Sequence, residues 1–388
     1  MKTNLRNILA LALGLMTTVS FAQDWNVDSR TRIDMGGDGD RMNAVQAVNV
    51  GTAWGGSDWG IVLSSDVYYD FNDNTNQNLK ANVYEAYAST NLFGFATMNI
   101  GRQALSYGSG VFVSKNSWSM NNRNTLDGMT FDIDNDFVDL TLGLNNEMDD
   151  NSTNGQERMW LNASKSQDDW SMNLFYSSSN DTEMGMESSG LFDDDGEEIM
   201  IPTGQGVTSD DFTQMGLDFA YSAMGGSLDL NVSYNTTTQG ENESEMMDLS
   251  GTYNVNDDMS LRAGRTSIGD NGFKYASGGN MFGNWASHGT IGQLMRSVEN
   301  EDGTVSMSNA NQENLYIGGS YNMGAFTLGA TIHNVTNTEN DDYERNATQV
   351  VVGYNLGDNA SLSYSMVSDD NGGDDDTNYN YLTLTITP

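Results

Sequence analysis

Few residues of this chain are of the types that carry out covalent or metal chemistry. The sequence has no Cys and only two His, His288 and His333. Thiolate nucleophiles and Cys-ligated metals are therefore excluded, and a His-based catalytic cluster is disfavoured. A Ser hydrolase would need a His and an orienting partner in reach of one serine, and this serine-rich chain does not single one out. We expect no enzyme.

Carboxylates are the abundant ionisable group. The chain has 54 acidic and 16 basic residues, which give a net charge of −38. Nucleic acid is excluded as a partner because phosphate contacts need a basic face. One acidic run, Asp193, Asp194, Asp195 and Glu197, has the oxygen ligands that Ca²⁺ prefers, but its spacing does not match an EF-hand loop. A solvated loop is the favoured interpretation of this run, and Ca²⁺ is the one candidate cofactor.

The N-terminus has the pattern of a secretory signal. Lys2 and Arg6 precede an apolar stretch from Ile8 to Met16, and small residues stand before Gln23. Residues 1–22 are therefore predicted to be a signal peptide, which is too short to span a membrane as a helix. Residues 23–388 contain no apolar run of transmembrane length, which leaves an exported soluble protein or a membrane β-barrel.

The exported part alternates between apolar and polar residues with a period of two. Trp25, Val27 and Ile33 share one face of the first segment, whereas Arg30 and Arg32 share the other. Such alternation predicts strands with one apolar and one polar face. Eighteen segments follow this pattern, namely 25–35, 42–54, 59–71, 78–90, 95–103, 128–134, 137–146, 158–166, 170–180, 212–222, 227–239, 246–255, 259–267, 313–321, 326–335, 346–356, 360–368 and 378–387.

The connections between these segments alternate strictly between tight turns and longer polar loops. One end of the structure therefore carries short turns and the other carries the long loops, as is typical of a transmembrane antiparallel β-barrel in the bacterial outer membrane. Aromatic residues at strand starts, such as Trp59, Phe95 and Phe326, fit an interfacial girdle. We predict one all-β domain, a single barrel of about 18 strands with its polar faces directed into the lumen. A soluble secreted β protein is the remaining alternative fold.

Three connections, 104–127, 181–211 and 269–313, are long enough for a functional role. The first is rich in glycine and aromatic residues and contains Lys115 and Arg123. It either folds into the barrel and narrows it or packs as an extracellular loop. The residues selected as lumen or constriction candidates are Arg30, Arg32, Arg102, Tyr107, Lys115, Trp118, Arg123 and Arg262. Arg102 shares strand parity with Met98 and Ile100, so its inward direction requires a bulge.

About 30 residues around this connection resemble the alginate-export porin family. The matching elements are Gly101-Arg102-Gln103, Tyr107-Gly108, Trp118, Arg123-Asn124 and Asp127-Gly128 before the strand Met129-Thr130-Phe131. The resemblance implies a passive outer-membrane channel whose lumen arginines attract an anionic polysaccharide. The acidic composition departs from that pattern, because a polyuronate path needs a dense row of cations.

The sequence therefore predicts a porin-like channel for small hydrophilic solutes or oligosaccharides. The alternative is a non-conducting barrel with a structural, adhesion or complex-assembly role. The expected partners are outer-membrane lipid, lipopolysaccharide and the solute, with a protein partner at the acidic extracellular loops as a further candidate.

Overall fold

The structure is a computed structural model. It describes residues 23–36, 42–71, 79–115, 123–133, 135–148, 155–192, 198–208, 212–273, 298–299, 305–306, 310–340, 343–370 and 377–387. The predicted signal peptide, Trp118, His288 and the carboxylates Asp193, Asp194, Asp195 and Glu197 lie outside these residues, so the expectations for them stay predictions.

Eighteen antiparallel strands form a closed barrel. In chain order they are β1 Gln23–Asp34, β2 Asn43–Gly55, β3 Trp59–Asp70, β4 Leu79–Leu92, β5 Ala96–Gln103, β6 Leu126–Ile133, β7 Asp139–Met148, β8 Gly155–Gln167, β9 Trp170–Phe192, β10 Phe212–Ala223, β11 Leu228–Gln239, β12 Asn242–Asn256, β13 Met259–Ile268, β14 Gln312–Met323, β15 Phe326–Asn337, β16 Glu344–Gly357, β17 Ala360–Asp369 and β18 Thr377–Ile386. Each strand pairs with its neighbours in sequence, and β1 also pairs with β18, where Arg32 lies opposite Thr383. This pairing confirms the predicted all-β barrel and its 18 strands.

The barrel presents apolar side chains outward and polar side chains inward. In β14, Leu315 and Ile317 are 53 % and 62 % exposed, whereas Asn314 and Tyr316, which alternate with them, are 0 % and 6 % exposed. The same alternation exposes Trp59 and Ile61 on β3 while Ser64 is buried. Because alternate side chains of a strand point to opposite faces, the exposed set is the surface that lipid covers. Within the described residues, no helix has the length and hydrophobicity needed to cross a membrane.

One predicted loop is partly strand. β9 continues to Phe192, and an additional strand, Glu198–Thr208, pairs with its distal part. The two form a hairpin beyond the barrel wall, within the connection expected at 181–211. The pairing is irregular between Pro202 and Gly206, where proline cannot donate a ladder hydrogen bond. Two short strands, Val298–Glu299 and Val305–Ser306, also pair with each other.

The buried apolar residues lie inside the barrel. Ten of them form one cluster, here called the lumen core, which consists of Val111, Phe112, Trp160, Phe175, Met246, Ile268, Phe273, Val335, Ala347 and Val367. Seven of these come from strands β8 to β17, and Val111 and Phe112 come from the connection between β5 and β6. The connection therefore enters the barrel and packs against its inner wall.

Candidate functional site

The connection between β5 and β6 crosses the lumen. We call residues 104–125 the inward loop; its described parts are 104–115 and 123–125. The tip reaches the wall at β10 and β11, where the Ser109 backbone N–H donates to Asp218 Oδ2 at 2.9 Å. The Ser109 and Ser233 hydroxyl oxygens are 3.2 Å apart. The fold of this loop into the barrel is the first of the two arrangements that the sequence left open.

Glycine at position 108 allows this close approach. Gly108 has a φ of +52°, and an ideal Cβ there would collide with Asp218 Oδ2 and lie 2.7 Å from Asn173 Nδ2. A side chain would therefore force the tip away from the wall, besides being strained in a left-handed conformation. The Tyr107-Gly108 pair, selected for its resemblance to a porin motif, has a physical role in docking the loop.

Aromatic rings hold the middle of the loop. Phe112 stacks on Phe175 with ring centroids 5.7 Å apart and lies 5.8 Å from Phe273. Tyr107 stacks on Phe175, and its hydroxyl accepts a hydrogen bond from Trp160 Nε1 at 3.2 Å. Burial raises the pKa of the Tyr107 phenol to about 12, so this hydroxyl stays neutral at physiological pH. These contacts make the loop a packed part of the barrel interior.

A single arginine anchors the return limb to the opposite wall. Arg123 Nε donates to Asp66 Oδ2 at 2.8 Å, its Nη2 contacts Asp66 Oδ1, and its guanidinium carbon lies 3.6 Å from the Tyr84 ring centroid. Asn49 Nδ2 donates to Asp66 Oδ1 at 2.9 Å and orients the carboxylate. We call Arg123, Asp66 and Tyr84 the arginine latch. Tyr84 faces inward because β4 bulges there, with Val83 and Glu85 pairing to adjacent residues of β3.

The other selected cations are divided between the lumen and the outer face. Arg30 lies in electrostatic range of Arg123 and Asp66. Arg32 lies 5.4 Å from the Tyr381 ring, and Arg262 lies 5.4 Å from the Tyr316 ring. Lys115 is exposed and lines a cavity of about 350 Å³ together with Asp28, Tyr84, Glu85 and Arg123.

Arg102 does not face the lumen. It pairs directly across from Asp127 in the β5–β6 ladder, and the two side chains form an ion pair that is 40 % and 58 % exposed. Arg102 lies on the outer face with Ile100, as strand parity requires when no bulge intervenes in β5. The structure therefore places this constriction candidate outside the constriction.

Several lumen residues were not selected from the sequence. Asp218 and Asp248 line a second cavity of about 600 Å³ beside the loop tip, together with Arg262, Tyr316 and His333. In a chain with 54 acidic residues, no local signal distinguishes these two aspartates. His333 Nδ1 donates a hydrogen bond to Asn314 Oδ1 at 3.1 Å, and the His333 side chain is fully buried. It lies on the inward face of β15, next to Ile332, which is 53 % exposed on the outer face.

The arginine latch and the outer arginine form a matched pair for mutation. We expect Arg123→Ala to raise both the mean conductance and the current noise of single channels, because the return limb loses its charged anchor in the lumen. Arg102→Ala should leave both quantities unchanged, because that side chain lies on the outer face. Single-channel recording of the two variants measures the difference. Equal effects of the two substitutions would contradict the assigned positions.

The closed barrel, its apolar outer belt and its inward loop define the class of this protein. It is a β-barrel of the bacterial outer membrane with the architecture of a porin. Among the described residues, no group of three or more His, Cys, Asp or Glu side chains is arranged to hold a metal ion.

Solved porin structures share this fold. OccK5 (OpdH) of Pseudomonas aeruginosa superposes with a TM-score of 0.65 at 12 % identity, over 94 % of this chain and 97 % of that chain. The outer membrane protein OpdK of the same organism gives a TM-score of 0.65 at 12 % identity, over 94 % and 99 % of the two chains. OpdK with vanillate gives 0.64 at 11 % identity, over 94 % and 98 %. No protein-family model and no curated protein matches the sequence. The finding supports a porin fold in general and does not single out the alginate-export family.

Proposed function

We propose that this protein is a passive outer-membrane channel for small hydrophilic solutes or oligosaccharides. The observation that carries the proposal is the inward loop, which is anchored at both walls and narrows a lumen lined by charged and hydroxyl-bearing residues. An 18-stranded barrel is wide enough to conduct unless its interior is filled. The architecture shared with OpdK, which is solved with vanillate, adds support for a solute path.

The specific resemblance to alginate-export porins remains a hypothesis about the substrate. Two lumen arginines are neutralised by partners, Arg123 by Asp66 and Arg345 by Asp369. A polyuronate would also meet Asp218 and Asp248, which line the lumen. We therefore favour solutes without a dense negative charge. The proposal contains no catalytic step, and the outer belt is proposed to contact lipid and lipopolysaccharide.

The second candidate is a non-conducting barrel with a structural, adhesion or assembly role. The lumen core favours it, because Val111, Phe112 and Phe273 are at most 5 % exposed and occupy space inside the barrel. In that case the extracellular loops would bind a protein partner, and the packed side chains of the lumen core would stabilise the barrel that carries these loops.

Planar-bilayer recording of the detergent-purified protein separates the two candidates. We expect steady openings and a reversal potential that shows cation preference under a salt gradient, because the net charge of −38 raises the local cation concentration. The preference should weaken as salt is added, because exposed charges are screened. A protein that inserts and is heat-modifiable but electrically silent would overturn the channel proposal in favour of the assembly role.

A further inference from the structure

The cavity of about 600 Å³ begins at the loop tip and continues to the short-turn end of the barrel. Its lining includes Ser109 of the loop and Ser166 and Ser171, which flank the turn between β8 and β9. The volume lies in the range of about 300–1,000 Å³ that is usual for ligand sites. A solute that passes the inward loop would therefore enter this cavity, which we call the lower cavity.

Two polar atoms beside the loop tip are buried without a hydrogen-bond partner among the described residues. They are Asp218 Oδ1, an acceptor, and Asn173 Nδ2, a donor. Their residues lie directly opposite each other in the ladder between β9 and β10, and both line the lower cavity. A buried polar atom without a partner costs free energy, so this wall is suited to a ligand that offers a donor and an acceptor together and toward which the two side chains turn.

The remaining lining is hydroxyl-rich and nearly balanced in charge. Six serines line the cavity, and two of them, Ser233 and Ser250, are 7 % and 4 % exposed. A serine hydroxyl donates or accepts as its ligand requires. The charged lining residues are Asp218, Asp248 and Arg262, and Arg262 Nη2 lies 3.5 Å from the Tyr316 hydroxyl, to which it donates.

The charges discriminate among three classes of solute. A carboxylate would bind Asn173 and Arg262 but would meet Asp218 and Asp248. An ammonium group would bind Asp218 but would leave the Asn173 donor unsatisfied and would approach Arg262. A hydroxyl group satisfies the acceptor and the donor alike, and vicinal hydroxyls match the side-by-side pair on β9 and β10.

We infer that the lower cavity is a binding subsite for neutral polyhydroxylated solutes, such as short uncharged saccharides. The inference rests on the proposed channel function, and it assigns the substrate class of that channel. Asp218 and Asn173 are its specificity-determining residues, and Tyr316 contributes an apolar ring to the wall.

The test is block of the ion current by three trisaccharides of similar size and different charge. The probes are maltotriose, the fully deacetylated trimer of glucosamine, and trigalacturonate, each added to the wild-type channel in a planar bilayer. Recording at about 1 M salt shortens the Debye length to ~3 Å, so attraction of the cationic probe to the acidic loops is suppressed. We expect maltotriose to block at a lower concentration than either charged trimer.

The variants are Asn173→Ala and Asp218→Asn. Asp218→Asn keeps an oxygen that can accept the Ser109 N–H, so the loop tip stays docked while the carboxylate is lost. We expect Asn173→Ala to weaken maltotriose block by about fivefold to tenfold, the effect of one hydrogen bond. We expect a similar factor for Asp218→Asn, because the hydroxyl of the sugar exchanges a charge-assisted bond to a carboxylate for a neutral one to an amide. Asp229→Asn is the control, because Asp229 accepts from Ser222 and Asn254 in the barrel wall and does not line the cavity.

The outcomes for this subsite and for the channel differ. A conducting protein that is blocked best by a charged trimer, or whose maltotriose block is unchanged in both variants, would overturn the subsite while the channel proposal stands. A heat-modifiable but silent protein would overturn the channel proposal and the subsite with it. Heat-modifiability of each variant on a gel confirms that its barrel is folded.

Discussion

Removal of residues 106–125, with a short Gly/Ser link in their place, is expected to raise single-channel conductance several-fold. The loop crosses the lumen from Asp66 on one wall to Asp218 on the other, so its removal opens the cross-section that it occupies. Ionic current through a water-filled pore is set by its narrowest section. Single-channel recording at fixed salt and voltage measures the change.

The control for this deletion is a shortened hairpin at 184–207. That hairpin extends beyond the barrel wall, so its loss should leave the conductance close to that of the wild type. Because the deletion of 106–125 uncovers Trp160, Phe175 and Phe273, heat-modifiability must first show that the barrel still folds. An unchanged conductance in a folded variant would refute the constriction role of the loop.

The second large effect is expected at a buried ion pair. Arg345 donates from Nε and Nη2 to the two oxygens of Asp369 at 2.9 Å and 2.7 Å, and the two side chains are 9 % and 0 % exposed. Arg345→Met should lower the free energy of unfolding by about 3–5 kcal/mol, because Asp369 would be buried without its counter-charge. Urea unfolding of the protein in lipid vesicles measures the loss.

Two companion variants make that prediction specific. Replacing both partners, with Arg345→Met and Asp369→Leu together, should recover most of the loss, because an apolar pair leaves no buried charge. Arg265→Met should cost at most about 1 kcal/mol, because Arg265 is 51 % exposed and its outer-face pair with Glu313 lies at the long-loop rim of the barrel, where charges reach water. Equal losses for Arg345→Met and Arg265→Met would show that burial of the inner pair has no energetic consequence.

The two pairs show why ion pairs in this barrel have different roles. The outer pairs, Arg102 with Asp127 and Arg265 with Glu313, are partly exposed and lie on the lipid-side face. The inner pairs join different elements: the arginine latch joins the inward loop to β3, and Arg345 joins the neighbouring strands β16 and β17. Loss of the arginine latch is therefore expected to change conductance, and loss of the Arg345–Asp369 pair is expected to change stability.

The strand layout was accessible from the sequence because alternation is a local property. All 18 predicted segments overlap the observed strands, and the tight turns lie at the predicted end of the barrel. Parity also identified the difficulty with Arg102, which shares its face with Ile100. The same rule placed Arg30 and Arg32 on the polar face of β1, which the closed barrel directs inward.

Local alternation did not predict the bulge in β4 or the additional strand within the connection that follows β9. Tyr84 faces inward beside Glu85 because the register of β3 and β4 shifts there, and a shift depends on the partner strand. The additional strand Glu198–Thr208 pairs with β9. Its residues alternate too weakly between apolar and polar side chains to predict a strand from the sequence.

The sequence by itself determined the fold class, the strand faces and the end of the barrel that carries the long loops, because each follows from neighbours a few residues apart. The tertiary structure alone decided the lumen. The contact of Ser109 with Asp218 joins residues 109 positions apart, and that of Arg123 with Asp66 joins residues 57 positions apart. Closure of the barrel brings these residues together, and no local pattern encodes which wall a crossing loop will reach.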